Sequence, residues 1–279
     1  IKHMATKKKS KTITRTNVPD AVPSYIPQGK GRGFAGIDTD DLELPRLKLI
    51  QSISEEKTEF DVGEGDFFHS VLEEGLGSEL KIVPLIIQKA YVLWSPRHEG
   101  VGILARSNDG VHWTPSEGVF EVAPIKEMPK KKVTWTLAPT VSESGLAEFG
   151  SSVPDDSSSR PAATKQYNVL AYLPDHPESS PCVITLQRSG IKIGRKLISK
   201  LKVATANKGV DLYSVQLTMS SAIDTNSEDQ QYYTYKFDMD GFVKDEETFN
   251  ICESMHKAYS KSGFSVKTEP NEEDINIPF

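Results

Sequence analysis

Lys81-Ile82-Val83-Pro84-Leu85-Ile86-Ile87-Gln88-Lys89-Ala90-Tyr91-Val92-Leu93-Trp94 is the most apolar stretch of the chain. β-Branched and aromatic residues crowd it, which suits a pleated, largely buried strand. Pro84 has no N–H to give to a ladder, so an edge position or a bend is expected there, with a strand running on to Trp94. Before it, glycines at 63, 65, 75 and 77 punctuate the chain around Phe67-Phe68. Leu44-Pro45-Arg46-Leu47-Lys48-Leu49-Ile50 reads as an extended entry into a short strand, and folded sequence is expected from Leu42.

Downstream, short apolar runs predict strands over 101–105, 118–123 and 132–137, separated by Ser, Asn, Gly and Pro turns. Residues 138–164 are rich in Ser, Pro and acid with no apolar period, so a flexible insertion is expected. Strands resume at 166–173 and 181–187. Ile193, Leu197 and Leu201 then recur every four residues and predict a helix over 190–204. Lys192, Lys196 and Lys200 share a neighbouring face of it, Arg188, Arg195 and Lys202 add charge, and no acid occurs from 188 to 210. Like charges at that spacing repel unless something negative relieves them.

Alternation of Tyr213, Val215, Leu217 and Met219 predicts another strand, and 231–238 a further one. In the latter, Tyr233, Tyr235 and Phe237 face inward while Tyr232 and Lys236 take the opposite face. Asp240-Gly241 reads as a turn. Asp245 reads as the N-cap of a last helix ending near Gly263, with Glu246 and Glu247 in its favourable first turn.

The fold class expected is mainly β (α+β). Short strands interrupted by one or two helices suit a barrel of the oligonucleotide-binding (OB) type with insertions, although a β-sandwich or another α+β sheet carries a similar pattern. Residues 1–41 read as a disordered basic arm, 42–264 as a single OB-like domain and 265–279 as an acidic tail. Ile1-Lys2-His3 reads as a cloning remnant before a native Met4. Over residues 4–36 of the arm, Lys7, Lys8, Lys9, Lys11, Arg15, Lys30 and Arg32 face one acid, Asp20. Such an arm either follows phosphates or serves as a solubilising leader.

Apolar content of 37% and charged content of 26% fit a polar globular protein. No apolar run approaches a membrane span and no signal peptide is visible. Cys182 and Cys252 lie far apart without metal-ligand spacing, so neither disulfide nor zinc is expected, and a cytoplasmic location fits. The net charge of −6 hides a division, with acid towards the C-terminal end and base in patches upstream. Local charge governs nucleic-acid binding more than the sum does.

Three places combine base with aromatic, as a single-strand surface requires. The first is Tyr91 through His98, with Trp94 and Arg97; the second is Lys130-Lys131-Lys132-Val133-Thr134-Trp135; the third is the basic helix with Arg188, Lys192, Arg195, Lys196 and Lys200. Tyr232 is a further stacking candidate. Each has a plain alternative, since tryptophans commonly fill cores and lysine runs are commonly solvated. Asp238 and Asp240 would suit a shared cation, but Gly241 explains them as a turn and no further ligands follow. No P-loop, G-x-S-x-G, H-E-x-x-H or G-x-G-x-x-G occurs. An enzyme is not expected, and no cofactor or metal is indicated.

The chain ends in Asn271-Glu272-Glu273-Asp274-Ile275-Asn276-Ile277-Pro278-Phe279. Acids keep this segment solvated, while Ile277, Pro278 and Phe279 offer an apolar ring, a restricted backbone and a carboxylate for a partner's pocket. It resembles the acidic tip of bacterial single-stranded DNA-binding proteins, which end in an Asp run followed by Ile-Pro-Phe. Asn276 and the mixture of Glu with Asp depart from that pattern. The resemblance implies recruitment of replication, recombination or repair proteins through Asp274, Ile277, Pro278 and Phe279, and the body is similar to larger phage-encoded proteins of that class. The expectation is a sequence-independent single-stranded DNA-binding protein. The alternative is a non-DNA-binding protein that copies the tip to capture host enzymes.

Overall fold

The structure is a computed structural model that describes residues 43–226, 229–262 and 264. The expected basic arm over 1–41 and the tail with Asp274, Ile277, Pro278 and Phe279 lie outside them. The elements are β1 (Leu47–Leu49), α1 (Glu56–Glu59), β2 (Phe67–His69), β3 (Glu74–Gly75), β4 (Glu79–Trp94), β5 (Ile103–Ser107), β6 (Gly118–Val122) and β7 (Val133–Leu137). They continue with α2 (Val141–Ser144), β8 (Ala163–Tyr172), β9 (Cys182–Gln187), α3 (Gly190–Ala206), β10 (Val215–Thr225), β11 (Gln231–Phe242) and α4 (Glu246–Ser262). The protein is mainly β, with a few helices and several antiparallel sheets. No described helix is long and apolar enough to cross a membrane.

β4 organises the main sheet because its length serves three partners. It pairs with β10 over residues 79–82, with β8 over 83–93 and with β5 over 91–94. The resulting order is β11-β10-β4-β8-β9. Pro84 falls just beyond the last β10 pair, where the register against β8 shifts. The bend expected at Pro84 is therefore a β-bulge inside a strand, where the missing donor is tolerated.

β9 and β11 end the sheet, and β1 lies between them. Arg46 forms a parallel bridge to Val183, whose N–H donates to the Pro45 carbonyl at 2.7 Å. On the other side the Gln51 amide donates to the Tyr233 carbonyl at 3.0 Å and accepts the Tyr233 N–H at 2.9 Å. The two sheet ends are thus strapped across β1, although strand ladders close no barrel among the described residues. Gln51→Ala should cost about 1–3 kcal/mol, the usual penalty for orphaning part-buried backbone groups. Denaturant melts and faster amide exchange at Tyr233 would register it; an unmoved midpoint with unchanged exchange would show that the strap is idle.

Inside the sheet's curve, Phe67, Ile82, Ile184, Leu186 and Leu217 pack with Leu197 and Leu201 of α3. A second core joins Leu85, Leu170 and Val183 to Cys252 of α4. Cys182 and Cys252 are both free and buried, and burial pushes each thiol up to about 12. A third core gathers Trp113, Trp135, Val141 and Leu146 around Leu93 and Ala163.

Three local expectations need correction. Residues 138–164 are no free linker: Thr140 and Glu143 form a capping box on α2, and Val141, Leu146 and Val153 are buried. These apolar residues lack a period because each anchors a separate turn, and Ser151 and Ser159 hydroxyls satisfy the intervening backbone. Asp240-Gly241 lies within β11 rather than in a turn, at a register shift opposite Gln216 and Leu217. Gly241, at φ 110°, supplies the backbone that this bulge requires. Tyr213 stands in a 3-10 turn that precedes β10. By contrast Asp245 caps α4 as its sequence suggests, accepting the Thr248 N–H at 2.7 Å.

Candidate functional site

Two Lys-x-Tyr triplets, Lys89 to Tyr91 and Lys165 to Tyr167, cross one another in antiparallel register. Lys89 stands opposite Tyr167, and Tyr91 opposite Lys165. Directly opposed residues share a face, so cations and rings alternate on one side of β4 and β8. Lys165 Nζ lies 5.0 Å from the Tyr167 ring centroid, and Lys89 Nζ lies 5.7 Å from that of Tyr91. Both distances are within cation–π range.

α3 adds Arg195 to this group. The helix comes close because Gly194 has no side chain; a Cβ there would sit 2.7 Å from Tyr167 Cδ2. Burial opposes ionisation of the Tyr167 phenol, yet hydrogen bonds and charge from Lys165 and Arg195 outweigh it and hold the phenol below its ordinary range. Three cations and two tyrosines therefore converge from β4, β8 and α3. Such a group of cations attracts phosphates, and both tyrosines stay half-buried with Lys89 and Lys165 over their rings.

Two grooves flank β11. One, of about 180 Å³, crosses β1 between β9 and β11, with Arg46, Lys48, Thr185, Gln187, Tyr232 and Thr234 among its walls. Tyr232 donates to Asp224 Oδ2 at 3.1 Å, and burial together with that carboxylate raises its phenol. The other, also about 180 Å³, runs between α3 and β11 past Lys196, Lys200, Tyr235 and Asp238. Asp238 pairs with Lys236 at 2.5 Å. Lys236 chiefly, then Lys200 and Lys196, lower its carboxyl pKa. This acid partly relieves the lysine stripe of α3. Asp240 accepts from the Thr218 hydroxyl at 2.7 Å, so the two aspartates have separate partners.

The residues singled out from sequence fall in several places. Lys192, Arg195, Lys196 and Lys200 are exposed on α3, while Leu197 and Leu201 are buried beneath them. Arg188 is half-buried just before the helix, at φ 51°. Tyr232 is half-buried in the first groove, near the start of α3. Trp94 is half-buried at the end of β4; Arg97 follows in a 3-10 turn, its side chain outside the described set. Lys130, Lys131 and Lys132 are exposed before β7, with Lys132 Nζ 3.9 Å from Glu121.

Trp135 corrects the second basic-aromatic candidate. It is 4% exposed, and its indole N–H donates to the Ser152 carbonyl at 3.2 Å. No ring face is left for a base. It instead fixes the β6–β7 ribbon to the third core, and the adjoining lysines sit on a two-stranded sheet apart from the main one.

Sequence reading placed Tyr91 in the basic-aromatic stretch 91–98 but passed over Lys89, Lys165, Tyr167 and Arg46 as site residues. The repeated Lys-x-Tyr spacing was the available signal for Lys89, Lys165 and Tyr167, since residues two apart in a strand share a face. Arg46 carried none.

The model of the Pam3 phage gp34-like protein family matches residues 8–264, most of the chain. The chain belongs to that family. As a member of the Pam3 phage gp34-like family it is a phage protein. No curated protein and no solved structure matches it.

Proposed function

We propose that this phage protein binds single-stranded DNA without sequence preference, as part of replication, recombination or repair. The observation that carries the reading is the convergence of Lys89, Lys165 and Arg195 on Tyr91 and Tyr167. Cations neutralise phosphates and rings stack bases at ~1–3 kcal/mol each, which needs no particular base order.

The strand order supports an OB-type frame. That fold is a five-stranded, partly open Greek-key barrel. In it the first strand pairs with both the second and the fourth, and a helix commonly precedes the fourth. β4 pairs with β8 and β10, and α3 lies between β9 and β10. On this reading β5, β6, β7 and α2 form an insertion between the first two strands, and β1 occupies the opening between the third and fifth. Ile277, Pro278 and Phe279, with Asp274, would recruit replication or repair proteins; their likeness to the bacterial tip supports that role.

A fluorescence-anisotropy titration with labelled oligo-dT tests the proposal. Micromolar or tighter binding is expected, with log affinity falling by about 0.7 per neutralised phosphate for each tenfold rise in salt. Absence of binding at 50 mM salt would overturn it and leave capture of host enzymes through the tip as the function.

A further inference from the structure

We infer that the groove across β1 is a nucleotide subsite, in which Arg46 holds a phosphate and Tyr232 stacks the adjoining base. The inference rests on the single-strand reading above and assigns it a place beyond the Lys-Tyr cluster. Alternation sets Arg46 and Lys48 on one face of β1, Thr185 and Gln187 on one face of β9, and Tyr232 and Thr234 on one face of β11. All six line the same trough.

The charges in the trough are unevenly committed. Lys48 is paired with Glu56. Arg46 Nε is buried and has no hydrogen-bond partner. A buried donor left unpaired is costly, and a guanidinium is shaped to grip a phosphate through parallel N–H groups. On the opposite wall Asp224 holds the Tyr232 hydroxyl, which fixes the ring and repels phosphate. The anion therefore belongs on the β1 side and the base on the β11 side. Hydroxyls of Thr185 and Thr234 and the Gln187 amide offer polar contacts between them. β1 reaches this position because Gln51 ties it to Tyr233.

The test compares Arg46→Gln and Tyr232→Leu with Lys165→Ala in the oligo-dT titration, each variant first checked by thermal melting. Arg46→Gln should lower the salt slope by about 0.7. Tyr232→Leu should weaken binding about 5- to 150-fold, the equivalent of ~1–3 kcal/mol for one stacked base. If both bind as the parent does while Lys165→Ala weakens, the subsite is overturned and the coating function stands. If the parent fails to bind, both fall. The unaltered protein gives a reading independent of variant folding, through photocrosslinking to oligonucleotides carrying 5-iododeoxyuridine. Adducts at Tyr232 support the subsite, and adducts confined to Tyr91 and Tyr167 overturn it.

Discussion

Lys165→Ala combined with Arg195→Ala should reduce affinity for oligo-dT about 10- to 30-fold at 0.1 M salt. The size follows from counterion release, which contributes a slope of about 0.7 per phosphate contact on single strands. Two lost contacts lower the slope by about 1.4, a factor of roughly 25 over one decade of salt. The two cations act on the same phenol, since both lower the Tyr167 pKa. Their effects should consequently be less than additive, and a double-mutant cycle would show it. The comparison is Lys130→Ala, on the separate β6–β7 ribbon, which should change the slope by less. Equal effects at the two places would transfer the interface to the ribbon.

Leu197→Ala should have the largest effect on stability, ~2–5 kcal/mol by the cost of truncating a buried leucine. Leu197 is 2% exposed and packs in the core that binds α3 to β8, β9 and β10. Gly194 already brings the helix against Tyr167 and Leu186, so the backbone has little room to collapse into the void. Urea melts measure the loss. Lys196→Ala, one residue away and exposed, should stay within about 0.5 kcal/mol. A Leu197→Ala loss below 1 kcal/mol would mean that α3 is held by other contacts. Because Arg195 rides on this helix, the leucine variant should also bind oligo-dT more weakly near its melting range than well below it.

Much of the fold was legible wherever a period was present. The stripe Ile193, Leu197 and Leu201 announced α3, and its observed span is Gly190–Ala206. Tyr235 and Phe237 turned inward as their alternation required, stacking at 6.2 Å from centroid to centroid. Legibility failed where side chains serve loops. Val141, Leu146 and Val153 have no common spacing, yet each is buried. Gly241 looked like a turn because a positive φ is needed in turns and bulges alike.

The candidate site was less legible than the fold. Trp135 sits beside three lysines in the chain, but burial separates its ring from their charges. Lys89 and Tyr167 are far apart in the chain and become neighbours only through β4–β8 pairing. Arg46 and Tyr232 are farther apart still, and β1 brings them to one trough by crossing between the two sheet ends.

The linear order of residues was enough to establish strands, the basic helix, its buried stripe and the acidic terminal segment. These depend on spacing within one element, where periods of 2 and 3.6 decide which side chains share a face. Which cations meet which rings depended on the tertiary structure. Strand register and the passage of β1 between β9 and β11 are set by burial of residues remote in the chain, and a shift of one position would turn every one of those side chains to the other face.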